Sequence, residues 1–233
     1  MADTKRKIAV VCSRSGLGRV GSSALMGLLK IGGLDVGGKA SGLWAPNKYN
    51  PRGYFEIHGN KDCIHRIFSQ FSDQFATPPT HTQIPSMIKL AENNLSDFEE
   101  FIDKEFNENS FIAIKGIRFF IFPFLHILAS KYSIKVILLH RERSDQIKSI
   151  LQLDTWKKHS NIIQKRCTQW HSFGTVMLNH FNEFDYLNVN FEKLINKPVQ
   201  TANQITKFLN INSIPPAKVT KWIAPSITRR WTR

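Results

Sequence analysis

A chain of 233 residues with 42% hydrophobic side chains can bury a sizeable core, and it reads as one domain with insertions over 1–233. Lys and Arg number 32 against 18 Asp and Glu, a net charge of +14 that points to a polyanionic partner; the basic residues are spread along the chain without a helix-turn-helix, RNP or zinc-finger pattern, so a multiply phosphorylated small molecule suits as well as nucleic acid, beside the plainer reading of solvated surface charge. Cys12, Cys63 and Cys167 suggest neither a disulfide framework nor a zinc site, no apolar run is long enough for a membrane span, and the short apolar start is no secretory signal, so a metal-free cytoplasmic protein is the expectation.

In chain order, Ile8, Val10 and Val11 favour a buried strand, Gly16, Gly18 and Gly21 interrupt it, and Leu25, Leu28 and Leu29 recur at helical spacing up to Gly32 and Gly33. The loop therefore ends at a helix N-terminus. Unpaired backbone N–H groups and the positive end of the helix dipole converge there, so phosphate or a close analogue is the natural guest. Gly16-Leu-Gly-Arg-Val-Gly21 fits the dinucleotide pattern G-x-G-x-x-G, and residues 16–23 fit the nucleotide-hydrolase loop with Ser22 in place of its lysine. Without that lysine, ATP or GTP hydrolysis loses its main cation. The dinucleotide reading wants an acidic residue about 20 positions on, at the end of a second strand. Asp35 is too near and sits between glycine pairs.

Residues 37–53 read as a long ordered loop bearing Trp44, and Asn50-Pro-Arg-Gly-Tyr-Phe-Glu56 closes it. A helix carrying Ile64, Ile67, Phe68 and Phe71 on one face follows, then a second loop over 76–86 that is expected to be mobile. A helix over about 96–107 has Ser96 as N-cap and Glu99 as its capping-box partner. Next come a strand at 111–115, an apolar helix at about 119–131 and a strand at 135–140. Strand, helix, strand at this length means parallel pairing. Helices over about 141–153 and 160–184, a strand at 186–190, a helix over 198–209 and a basic tail at 228–233 complete the chain. The expected fold is α/β, a three-layer sandwich with a central parallel sheet of four or five strands flanked by helices.

Taken together, Gly18-Arg-Val-Gly-Ser-Ser-Ala-Leu-Met26, Asn50-Pro-Arg-Gly-Tyr-Phe-Glu56 and Arg141 followed by Ser149 resemble the P-loop sulfotransferases, the bacterial members above all. Val20 stands where that family has Ser and Ser22 where it has Thr. The resemblance implies transfer of a sulfuryl group from 3′-phosphoadenosine 5′-phosphosulfate (PAPS) to a hydroxyl or amine, leaving adenosine 3′,5′-bisphosphate (PAP). It implies that Gly18, Arg19, Val20, Gly21, Ser22 and Ser23 cradle the 5′-phosphosulfate, with Arg19 near the bridging oxygen, and that Arg141 and Ser149 hold the 3′-phosphate. Gly16 is then expected only to turn the chain, and Phe191, where the family has Tyr, only to pack.

The chemistry needs donors for charge on the leaving phosphate, in-line alignment and a base. Glu56 is the expected base and His58 the second candidate, against the plainer reading of Glu56 as a surface or capping carboxylate. Lys115 and Arg118 follow a strand, where open parallel sheets bind ligands, and could face donor or acceptor or simply be strand-end charges. Trp44, Tyr49, Tyr54 and the 76–86 loop are candidates for the acceptor pocket, and Arg229, Arg230 and Arg233 for a cover over the 3′-phosphate. The acceptor is a small molecule, glycan or lipid bearing a hydroxyl. A nucleotide- or NAD-binding enzyme and a basic nucleic-acid-binding domain are the alternatives.

Overall fold

The computed structural model describes residues 5–59, 61–71, 77–108, 110–116, 118–153, 156 and 159–223, with only the backbone of 61, 62 and 70. Runs of β-branched and aliphatic residues form four strands: β1 (Arg6–Ser13), β2 (Ile112–Gly116), β3 (Tyr132–His140) and β4 (Asp185–Asn190). They lie in the order β2-β1-β3-β4. All three pairings are parallel, with Val10 opposite both Ile114 and Val136, and Leu139 opposite Val189. The carboxyl ends of all four strands therefore share one edge of the sheet, and the glycine loop, Lys115 and Arg141 all fall at that edge.

Side chains of β1 alternate between two cores because the pleat sends successive residues to opposite faces. Ile8, Val10 and Cys12 join the larger core, Ala9 and Val11 the smaller. The larger core is covered by α2 (Ile84–Asn93), α3 (Leu95–Glu105), α4 (Phe122–Leu128) and α6 (Ser160–His180), the last contributing Ile163, Trp170, Phe173 and Met177. Before α6 comes α5 (Arg143–Leu151), which starts just after β3 at the sheet's carboxyl edge. The smaller core is covered by α1 (Ser22–Ile31), α7 (Phe191–Asn196), α8 (Pro198–Leu209) and α9 (Pro216–Trp222). The result is a three-layer α/β sandwich with four strands.

The elements differ from expectation where the apolar pattern is short. The 76–86 stretch, described from Thr77, is not a mobile loop throughout. Thr80 and Gln83 form a capping box over a 3-10 turn at His81–Gln83, and Ile84 opens α2, an unanticipated helix buried through Ile84, Met87 and Ala91. Ser96 is not an N-cap. Residue Asn94 holds that position, and α3 starts one residue before Ser96 because Leu95 already belongs to its apolar side. Residues 61–71 form a π turn and a 3-10 turn instead of one helix, yet Ile64, Phe68 and Phe71 are buried as the spacing implies. The helix expected at 119–131 is a 3-10 turn at Phe119–Ile121 leading into the shorter α4. Too few residues to show a period, α7 and α9 escape the sequence reading. The basic tail at 228–233 lies outside the described residues.

Candidate functional site

Leaving β1, the chain turns at once. Gly16 N–H donates to the Ser13 carbonyl at 3.0 Å, and the Ser13 and Ser15 hydroxyls pair at 2.8 Å. The buried Gln146 amide of α5 donates to Ser15 Oγ at 2.8 Å and to the carbonyls of Leu17 at 3.3 Å and Gly18 at 2.8 Å. Those carbonyls are thus turned toward α5. Arg19 takes a left-handed conformation, φ +70°, which costs a residue with a Cβ on the order of 1 kcal/mol. Gly21, φ +88°, precedes the first turn of α1, and a Cβ there would lie 2.5 Å from the Phe191 ring.

The loop, the 50–56 segment, the end of β2, α5 and Phe191 enclose a cleft of about 110 Å³. Three cations converge on it. Arg19 Nε donates to Ser149 Oγ at 3.1 Å and its Nη1 to the Tyr49 carbonyl at 3.5 Å. Arg141, buried at the head of α5, donates from Nη1 to the Arg19 carbonyl at 3.0 Å and lies over the Phe191 ring at 4.6 Å. Lys115, only 5% exposed, donates from Nζ to Glu56 Oε1 at 2.8 Å, to the Tyr54 carbonyl at 2.7 Å and to Ser23 Oγ at 3.0 Å. Asn50 Nδ2 also donates to Ser23 Oγ, at 2.9 Å, so that hydroxyl at the start of α1 ties three segments together.

Burial lowers the pKa of all three cations. For Lys115 the Glu56 carboxylate works against burial, while the Arg19 charge adds to it. For Arg19 the nearby Tyr54 opposes the effect of burial; for Arg141, Asp145 and Glu192 oppose it and Arg19 adds to it. Cations that repel one another in a partly dry cleft are stabilised by an incoming anion, and the N-terminus of α1 adds its backbone donors. Glu56 is the one carboxylate lining the cleft among the described residues, its side chain 31% exposed and paired to Lys115.

Of the loop residues singled out in the sequence, Gly18, Arg19, Gly21, Ser22 and Ser23 line the cleft, together with Glu56, Arg141 and Ser149. Val20 does not. Its side chain is 1% exposed and packs in the smaller core, because the residue after left-handed Arg19 points inward beneath α1. His58 is also outside the cleft lining, exposed and stacked on Trp44 at 5.0 Å. Arg118 leans on Trp170 of α6 at 5.1 Å. Phe191, expected only to pack, lines the cleft, as do Asn50 and Tyr54. Lys115, a candidate from its place at a strand end, lines the cleft, a lysine inside an otherwise apolar buried strand. Arg229, Arg230 and Arg233 lie outside the described residues.

Asp35 bears on the dinucleotide alternative. It bridges to Ile112 at the amino end of β2, across the sheet from the loop. Its carboxylate accepts from Gly37 N at 2.9 Å, Asn107 N at 2.7 Å, Asn107 Nδ2 at 2.9 Å and Ser110 Oγ at 3.2 Å. Burial raises its pKa, but these hydrogen bonds outweigh it and leave the group below its ordinary value. Asp35 is committed to structure and is not positioned for a ribose.

No family model and no curated protein matches the chain. Among solved structures it is similar to the sulfotransferase domain of the Synechococcus PCC 7002 olefin synthase, at 16% identity over 95% of this chain and 90% of that one, with a TM-score of 0.47. It is similar to a sulfotransferase of Alicyclobacillus acidocaldarius at 14% identity over 99% and 100%, with a TM-score of 0.45. The sulfotransferase domain from the curacin biosynthetic pathway aligns over 90% of this chain and 76% of its own, at 16% identity and a TM-score of 0.50. With its all-parallel four-stranded sheet flanked by helices, the chain has the fold of that sulfotransferase domain.

Proposed function

We propose that the protein is a sulfotransferase that uses PAPS as donor and a small molecule bearing a hydroxyl or amine as acceptor. The observation that carries this reading is the convergence of Arg19, Lys115 and Arg141 with the N-terminus of α1 around a cleft whose one lining carboxylate among the described residues, Glu56, is paired to Lys115. The donor supplies an activated sulfuryl group on a phosphate leaving group. Toward it, the N–H groups at the start of α1, Arg19 and Lys115 neutralise charge on the bridging oxygen as the S–O bond breaks. Arg141 and Ser149, two residues before α5 and almost two turns along it, suit a single phosphate. Phe191 offers a ring face for a planar base.

Glu56 takes the acceptor's proton as the acceptor oxygen or nitrogen bonds to sulfur. Lys115 holds that carboxylate in place at rest, and a sulfuryl oxygen competes for the same ammonium, releasing Glu56 to act. Exposed His58, outside the cleft lining, is the weaker candidate for the base. Among the described residues no helix is long and apolar enough to cross a membrane.

Calorimetric titration with PAP, in parallel with NAD and ATP, tests the reading. PAP is expected to bind at least about tenfold more tightly than either, the margin of one additional charge-assisted contact set. Absence of PAP binding overturns it. Transfer of labelled sulfate from PAPS to a panel of phenols, sugars and lipids then identifies the acceptor.

A further inference from the structure

Behind the loop lies a second cavity of about 350 Å³, bounded by Ser15, the end of β3, the first turn of α5 and the middle of α6. Arg141 lines both cavities, and the Gln146 amide stands in the wall between them. Its chemistry is strongly cationic. Arg143 reaches from α5 across to α6, where its Nη1 comes within 3.5 Å of Thr168 Oγ1, and His171 lies one turn further along the same side of α6. His140 contributes an imidazole from the end of β3. Arg14, on the loop, presses its charge on His171, and its buried Nε makes no hydrogen bond among the described residues. Among the described residues Glu142 is the one lining carboxylate, exposed as its neighbour Arg143 is, and neither Arg14 nor Arg143 has a carboxylate within ion-pair distance.

We propose that this cavity is a second binding site, beside the donor cleft and sharing only Arg141 with its lining, for the oxyanion head of a small organic molecule, a phosphate or sulfate ester. The Arg143 guanidinium and two imidazoles line this space, and the Arg14 charge reaches His171 from the loop. Burial holds the His171 pKa below its ordinary value, and Arg143, Arg14 and His140 push it further the same way. An anion seated there reverses the electrostatic part of that shift, so its binding takes up a proton and strengthens as the pH falls through the histidine range. Cys167, buried in the same wall with its thiol pushed up to about 11, stays neutral and adds no opposing charge. The volume exceeds that of the donor cleft and leaves room for an organic body beside the head group.

Inorganic sulfate is the probe, because it remains a dianion from pH 5 to 8 and its own ionisation does not enter the result. The titration is run with and without saturating PAP, by calorimetry and by the side-chain NMR signals of His171 and His140. Sulfate is expected to bind in the presence of PAP, to raise the titration midpoint of His171, and to bind about tenfold more tightly at pH 5.5 than at pH 8. In Arg143→Ala and His171→Leu that binding is lost while the affinity for PAP is kept. A His171 midpoint indifferent to sulfate, or a response unchanged in Arg143→Ala, overturns the proposal. PAP binding is measured separately, so its failure counts against the donor reading alone.

Discussion

Among the described residues Glu56 and Lys115 form the one ion pair that joins a buried cation to a cleft carboxylate, and the proposed chemistry turns on it. Glu56→Gln keeps the shape and a hydrogen-bond acceptor for Lys115 but removes the base. Turnover is expected to fall by about 10²–10⁴-fold, the ordinary worth of a general base, with PAP affinity unchanged. Steady-state transfer and a PAP titration on the same preparation check this; full activity in the variant removes Glu56 from the mechanism. The glycines of the loop separate in a different way from their sequence spacing. A Cβ at Gly16 would meet the fully buried Trp170 ring at 2.8 Å, whereas one at Gly21 would meet Phe191 at 2.5 Å. Gly16 therefore does more than turn the chain, since it lets the loop lie against α6. Gly16→Ala is expected to cost about 1–3 kcal/mol of stability, as overpacking does, and to spare PAP binding in the molecules that stay folded. Gly21→Ala moves the ring that supports Arg141 and is expected to weaken PAP by at least about tenfold, a single charge-assisted contact's worth. Thermal unfolding and calorimetry on both variants distinguish the two glycines.

Helix α5 grips the loop through two buried residues three apart, Gln146 and Ser149, which share one of its faces. Gln146→Leu fills a similar volume but leaves the Leu17 and Gly18 carbonyls without that donor. Loss of about 1–3 kcal/mol is expected, together with weaker PAP binding because the loop is no longer fixed. A variant with lower stability and undiminished PAP affinity would reduce Gln146 to a packing role. The clamp was illegible in the sequence because a glutamine in an amphipathic helix gives no sign of which way it faces. Arg141 and Ser149 could be noticed through their resemblance to a family, not through any periodicity. The same limit hid the attachment of α9, where Trp222 rests against Gly27 of α1, donates from Nε1 to the Ala24 carbonyl at 2.7 Å and lies under Arg52 at 4.4 Å. A glycine inside a helix reads as a defect until its partner's position is known. By contrast β1, α1, β4 and α8 were legible, since long apolar alternation or a strong start signal such as Pro198 depends on local sequence alone.

Across the whole molecule the parallel sheet accounts for the site: one carboxyl edge gathers the glycine loop, Lys115 and Arg141 from three separate stretches of chain. Sequence order conceals that gathering, which is why Lys115 read as an ambiguous strand-end charge, whereas the loop, contiguous in sequence, could be recognised. The net charge of +14 acts at this scale too, as a field around the cleft in addition to the cations inside it. The two contributions respond differently to salt. Exposed lysines beyond a Debye length of about 8–10 Å are screened at physiological ionic strength, whereas buried Lys115 and Arg141 are screened far less. PAP affinity is therefore expected to weaken by about tenfold or more between 50 and 500 mM NaCl and then to level off, as salt removes the outer field and leaves the inner contacts. In Arg141→Ala the affinity at every salt concentration is lower and the fall with salt has much the same slope, because the exposed charges are untouched. Calorimetry at five or more ionic strengths on both proteins measures this. A wild-type affinity indifferent to salt would mean that the surplus charge serves a partner other than the nucleotide.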